Sequence, residues 1–142
     1  MTNCSLSKEE ILYFYNLLYK YEYDSYFGFQ DEKALKLVGD KISFDDKHVH
    51  GENITQETDK CLRFVPFGKT KCGAILYHIR NSFAHGNLQS IDNDTKFLIK
   101  DYSDKKKRSK CNMLGKISKN EFYALINLME QTRKKKYKQN NP

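Results

Sequence analysis

The stretch Thr70-Lys71-Cys72-Gly73-Ala74-Ile75-Leu76-Tyr77-His78-Ile79-Arg80-Asn81-Ser82-Phe83-Ala84-His85-Gly86 decides the reading of this chain. Its apolar residues recur at helical spacing, and Gly86 is a good residue to follow a helix end. The spacing predicts a helix over residues 70–84. With Ile79 at the origin and about 100° per residue, Cys72, Ile75, Leu76, Ile79 and Phe83 fall within about 60° of one direction. That is a core stripe. The opposite side carries Tyr77, Asn81 and Ala84, flanked by Arg80 and His85. It lacks a Lys/Glu surface, which predicts a second, half-buried face that meets a partner.

Outward from this helix, Ser7-Lys8-Glu9-Glu10 is a capping box before an apolar run, so a first helix starts near Ser7 and ends around Tyr21 to Ser25. Residues 31–38 suit a short helix with Ala34, Leu35 and Val38 as its stripe. Asp45 to Asp59 is polar and reads as a loop or weak helix, with Asp45-Asp46 as a turn. Cys61 to Phe67 is extended, broken by Pro66 and Gly68. After Asn87 the period changes. Phe97-Leu98-Ile99 and Cys111-Asn112-Met113-Leu114 read as a β-hairpin through the basic turn Lys105-Lys106-Lys107-Arg108. Ser118-Lys119-Asn120-Glu121 caps a final helix striped by Phe122, Leu125, Ile126 and Met129. The expected fold is therefore mainly α, a helical bundle with a small hairpin before its last helix. One domain spans residues 1–133, and 134–142 form a basic tail.

The length of 142 residues suits one domain that buries its own core. No apolar run approaches a membrane span, and the first residues lack a secretory pattern. Cys4, Cys61, Cys72 and Cys111 are scattered without a C-x-x-C pair, which points to free thiols in the cytoplasm and away from a cysteine zinc site. The net charge of +7 is uneven. Residues 1–100 carry 13 Lys/Arg against 14 Asp/Glu, and residues 101–142 carry 12 against 4. Such a basic third suits nucleic acid, or merely a solvated turn and tail.

The segment Ile79-Arg80-Asn81-Ser82-Phe83-Ala84-His85-Gly86 has the form R-x-x-x-x-H with a polar residue after the arginine and an Ala-His-Gly ending. It resembles the signature of HEPN domains, in which R-x(4–6)-H closes a long helix. The resemblance is anchored in residues 69–87, and the hairpin and last helix are similar to a bacterial branch of the family. It implies a helical bundle that dimerises through this helix. For activity it implies a metal-independent endoribonuclease of bacterial defence or toxin–antitoxin systems, needing no cofactor and answering in some cases to an antitoxin protein. The alternatives are a non-catalytic RNA- or nucleotide-binding module and a helical protein-interaction domain.

Side-chain chemistry assigns the roles. The imidazole of His85 suits a general base or acid. Arg80 is permanently charged and can grip a phosphate with two donors. Asn81 can orient the imidazole or bond the phosphate. Ser82 and the cluster Lys105, Lys106, Lys107 and Arg108 are candidate RNA contacts. Arg80 and His85 lie about 140° apart on one helix, so a shared cleft needs two helices about a two-fold axis. An Arg and a His near a helix C-terminus also simply complement its dipole. Elsewhere, His48-x-His50 as a metal pair is outweighed by a surface loop, and His78 reads as a packing residue. Some HEPN toxins carry a tyrosine two residues after the histidine that a partner nucleotidyltransferase modifies; that position here is Asn87.

Overall fold

The computed structural model describes residues 6–23, 41–103 and 110–132. The expected short helix over 31–38, the basic turn Lys105 to Arg108 and the tail lie outside the described residues. Within them the chain forms helix α1 (Lys8–Tyr23), strands β1 (Ser43–Asp45) and β2 (Cys61–Phe64), and helix α2 (Lys71–Ala84). Strands β3 (Leu88–Ile91), β4 (Lys96–Tyr102) and β5 (Cys111–Ser118) follow, then helix α3 (Lys119–Thr132).

This corrects the mainly α bundle. Among the described residues, three helices pack with a five-stranded mixed sheet in the order β1-β2-β5-β4-β3, so the fold is α+β. The β1–β2 pair is parallel and the others antiparallel. The expected hairpin is real, but it is the centre of a sheet. The physical reason lies in burial on both faces. In β4, Phe97 and Ile99 enter the main core while Leu98 enters a smaller cluster behind the sheet. A strand covered on both sides reads as a short apolar run rather than an alternation, and a short apolar run does not announce its neighbours. The outer strands are only three and four residues long.

The main core joins α1, α2 and α3 to one face of the sheet. Phe14 and Leu17 of α1, Ile75 and Ile79 of α2, and Phe122 and Ile126 of α3 meet Phe97, Ile99, Met113 and Ile117. The other face is covered by the segment after β1. Ile54 packs there with Val65, Leu98 and Leu114, and the N–H of Ile54 donates to the Cys111 carbonyl at 3.0 Å. Residues 46–59 thus form a loop pinned to β5. Cys61, Cys72 and Cys111 are buried.

The first capping box forms in full, and Ser118 caps α3. The N–H of Glu10 donates to Ser7 Oγ at 3.2 Å while Glu10 Oε1 accepts from the N–H of Ser7 at 2.9 Å. The N–H of Glu121 donates to Ser118 Oγ at 3.1 Å. Glu10 also pairs with Lys119 Nζ at 2.5 Å, joining the starts of α1 and α3. Burial alone would raise the Glu10 carboxyl, but the ammonium and the Ser7 bonds outweigh it and hold it below its ordinary value.

Candidate active site

Thr70 starts α2, its hydroxyl accepting from the N–H of Gly73 at 3.1 Å. The helix ends in a Schellman motif. Gly86 lies at φ +72°, its N–H donates to the Phe83 carbonyl at 3.2 Å, and the N–H of Asn87 donates to the Ser82 carbonyl at 2.8 Å. His85 is the last half-helical residue, its N–H bonded to the Asn81 carbonyl at 3.1 Å. The chain then turns directly into β3. The motif therefore occupies the junction of α2 and the sheet.

Arg80 and His85 are both exposed. Asn81 is half-buried, and its side-chain amide donates to Asp101 Oδ2 at 3.2 Å. Ser82 is fully buried on the core side, its hydroxyl without a hydrogen-bond partner. Its carbonyl rather than its hydroxyl serves the motif, by holding Asn87. The face expected to meet a partner is consequently narrower than Tyr77, Asn81 and Ala84. Arg80 and Ala84 are open, Tyr77 is half-buried against Phe67 with Lys69 Nζ over its ring at 4.9 Å, and Asn81 turns toward β4.

His78 packs among Phe64, Phe67 and Tyr77, as a packing residue should, and is fully buried. It is also a polar anchor. Nε2 lies 2.7 Å from the Val65 carbonyl, which only accepts, so Nε2 carries a proton. Nδ1 lies 2.7 Å from Asp101 Oδ2, and these two atoms hold one further proton between them. Asp101 escaped the sequence reading. The available signal was its phase: it follows Phe97 and Ile99 at a spacing of two, so it enters the helical layer.

An open groove adjoins the motif. Leu6, Ile11 and Tyr15 form one wall, and Phe83, Gly86 and Gln89 form the other. Tyr15 meets the Phe83 ring edge-on at 5.1 Å. Along α1, Ile11, Leu12, Tyr15 and Tyr19 are exposed large hydrophobics.

The profile of the family HEPN pEK499 p136 matches residues 11–140. The chain belongs to the HEPN family. The match reaches well past the segment that carried the resemblance, so α1, the sheet and α3 are parts of this HEPN domain as well. No curated protein and no solved structure matches the chain.

The remaining histidines form no site with the motif. His48 is held between two carboxylates, Nδ1 at 2.7 Å from Glu52 and Nε2 at 2.9 Å from Asp45, and Asp45 also takes Arg63 at 2.7 Å. His50 packs on Phe67. Among the described residues no group of three His, Cys, Asp or Glu is placed to hold a metal, and no helix is long and apolar enough to cross a membrane.

Proposed function

We propose that this HEPN domain is a metal-independent endoribonuclease that works as a dimer, in bacterial defence or as the toxin of a toxin–antitoxin pair. The observation that carries the reading is the exposure of Arg80 and His85 at the end of one helix, with Asn81 between them in the chain and bonded to Asp101.

The chemistry follows from the side chains. The 2′-hydroxyl of the RNA attacks the adjacent phosphorus, and the bond from phosphorus to the 5′-oxygen breaks. An imidazole takes the hydroxyl proton and an imidazolium gives one to the leaving oxygen. Arg80 neutralises charge on the non-bridging oxygens as it builds. The products are a 2′,3′-cyclic phosphate and a 5′-hydroxyl. One His85 cannot begin as both base and acid, and a second copy supplies the other. Arg80 and Ala84 give the helix a contact strip for that copy, and the exposed Ile11, Leu12 and Tyr15 beside Phe83 extend it with apolar surface. Lys105, Lys106, Lys107 and Arg108 add phosphate contacts along the RNA.

The test is cleavage of a mixed pool of tRNA and mRNA in EDTA by the full chain, its Arg80→Ala variant and its His85→Ala variant. Cleavage by the native chain alone supports the assignment. Cleavage that survives both substitutions refutes it. Binding without cleavage by the native chain favours a non-catalytic RNA-binding module.

A further inference from the structure

We infer that Asp101 is a positioning residue for the Arg80–His85 segment, the carboxylate that sets the rotation of α2 against the sheet; the inference rests on reading that segment as the cleavage site. The apolar contacts between α2 and β4 are non-directional and set the rotation of the helix less sharply than a hydrogen bond does. A shared hydrogen-bond acceptor does not. Asp101 Oδ2 takes His78 Nδ1 at 2.7 Å and Asn81 Nδ2 at 3.2 Å. Those residues stand three apart, one helical turn, so a single oxygen fixes both the height and the rotation of the helix. His78 reaches on to the Val65 carbonyl, just past β2, giving a second fixed point on a different segment.

The consequence reaches the exposed side chains through the backbone. Arg80 is the residue before Asn81, and the Asn81 carbonyl accepts the N–H of His85 at 3.1 Å. A turn of the helix that moves Asn81 therefore moves both. Asp101 is 3% exposed and His78 fully buried, so neither touches RNA. A buried polar network is an expensive way to join a helix to a sheet, since apolar residues of similar volume often stabilise a core as well or better. What the network adds is direction.

The experiment compares the full-length native chain with Asp101→Asn, Asp101→Leu and Ser118→Ala. The last loses the cap of α3 and reports what destabilisation alone does. In Asp101→Asn, an amide N–H turned to His78 Nδ1 leaves the Asn81 amide facing another donor; the opposite orientation removes the charge that both groups share. The inference predicts folded variants at Asp101 that bind the tRNA and mRNA pool with affinity within about two-fold of native but with kcat lower by roughly 10- to 100-fold. Ser118→Ala should keep native kcat. Folded Asp101→Asn and Asp101→Leu with native kcat would overturn it. If the native chain itself does not cleave, the functional reading fails first, and the inference is then read by NMR. Asp101→Asn should shift the His85 ring and Arg80 Nε resonances while leaving those of α3 in place. Unshifted resonances would overturn it independently of activity.

Discussion

The N–H of Asn87 reaches back across Gly86 to the carbonyl of Ser82 at 2.8 Å. That bond closes α2, places His85 at its rim and starts β3. It requires the positive φ of Gly86, where an added Cβ would meet nothing but where an L side chain strains the backbone. Gly86→Ala should cost about 1–2 kcal/mol in urea unfolding. It should also lower cleavage more than the lost stability accounts for, because His85 is adjacent. An unaltered midpoint would mean the turn relaxes freely.

His48 should make the loop after β1 pH-sensitive. Burial alone would lower its value, but the carboxylates of Glu52 and Asp45 outweigh that and raise it. A raised folded-state value gives stability that is fully present below the unfolded value of about 6.5 and is lost as pH rises through the folded one. The destabilisation caused by His48→Ala should therefore be larger at pH 6 than at pH 9. A destabilisation independent of pH would show that the ring acts only by packing.

Gly115 and Leu62 face each other across β5 and β2, and a Cβ at 115 would collide with the Leu62 side chain. Gly115→Ala should cost about 1–3 kcal/mol. Shortening the neighbour should relieve it, so Gly115→Ala with Leu62→Val should be less destabilised than the two single changes added, by roughly 1 kcal/mol. Additive losses would place the strain elsewhere.

The basic cluster Lys105 to Arg108 should act on affinity and not on the chemical step. Replacing Lys105, Lys106, Lys107 and Arg108 by Gln should flatten the dependence of log K on log salt by up to about 3 for single-stranded RNA. The cleavage rate at saturating RNA should stay near native. An unchanged salt slope would remove these residues from the RNA-binding surface.

What was legible in the sequence were the features with local chemistry. The Ser7 and Ser118 capping boxes, Thr70 to Gly86 as a helix with its stop, and the Phe97 and Cys111 strands all follow from neighbours within a turn or two. The sheet was not legible, because its pairings join distant segments: Ser43 with Cys61, and Leu62 with Gly115. Those partners carry no mark of each other in sequence. The same holds at the site. Arg80 and His85 could be read from their spacing, whereas Asp101 lies 20 residues from Asn81 and on another element. Ser82 illustrates a limit of a different kind: its position on the helical wheel sits beside the core stripe, and the structure buries it there.

The central claim is most directly tested by the ends of the cut RNA. The full chain, incubated in EDTA with tRNA and mRNA, should leave fragments bearing 2′,3′-cyclic phosphates and 5′-hydroxyls. Arg80→Ala and His85→Ala should leave the RNA intact while remaining folded. Fragments with 3′-hydroxyl and 5′-phosphate ends, or cleavage that appears only when a divalent metal is restored, would contradict the account.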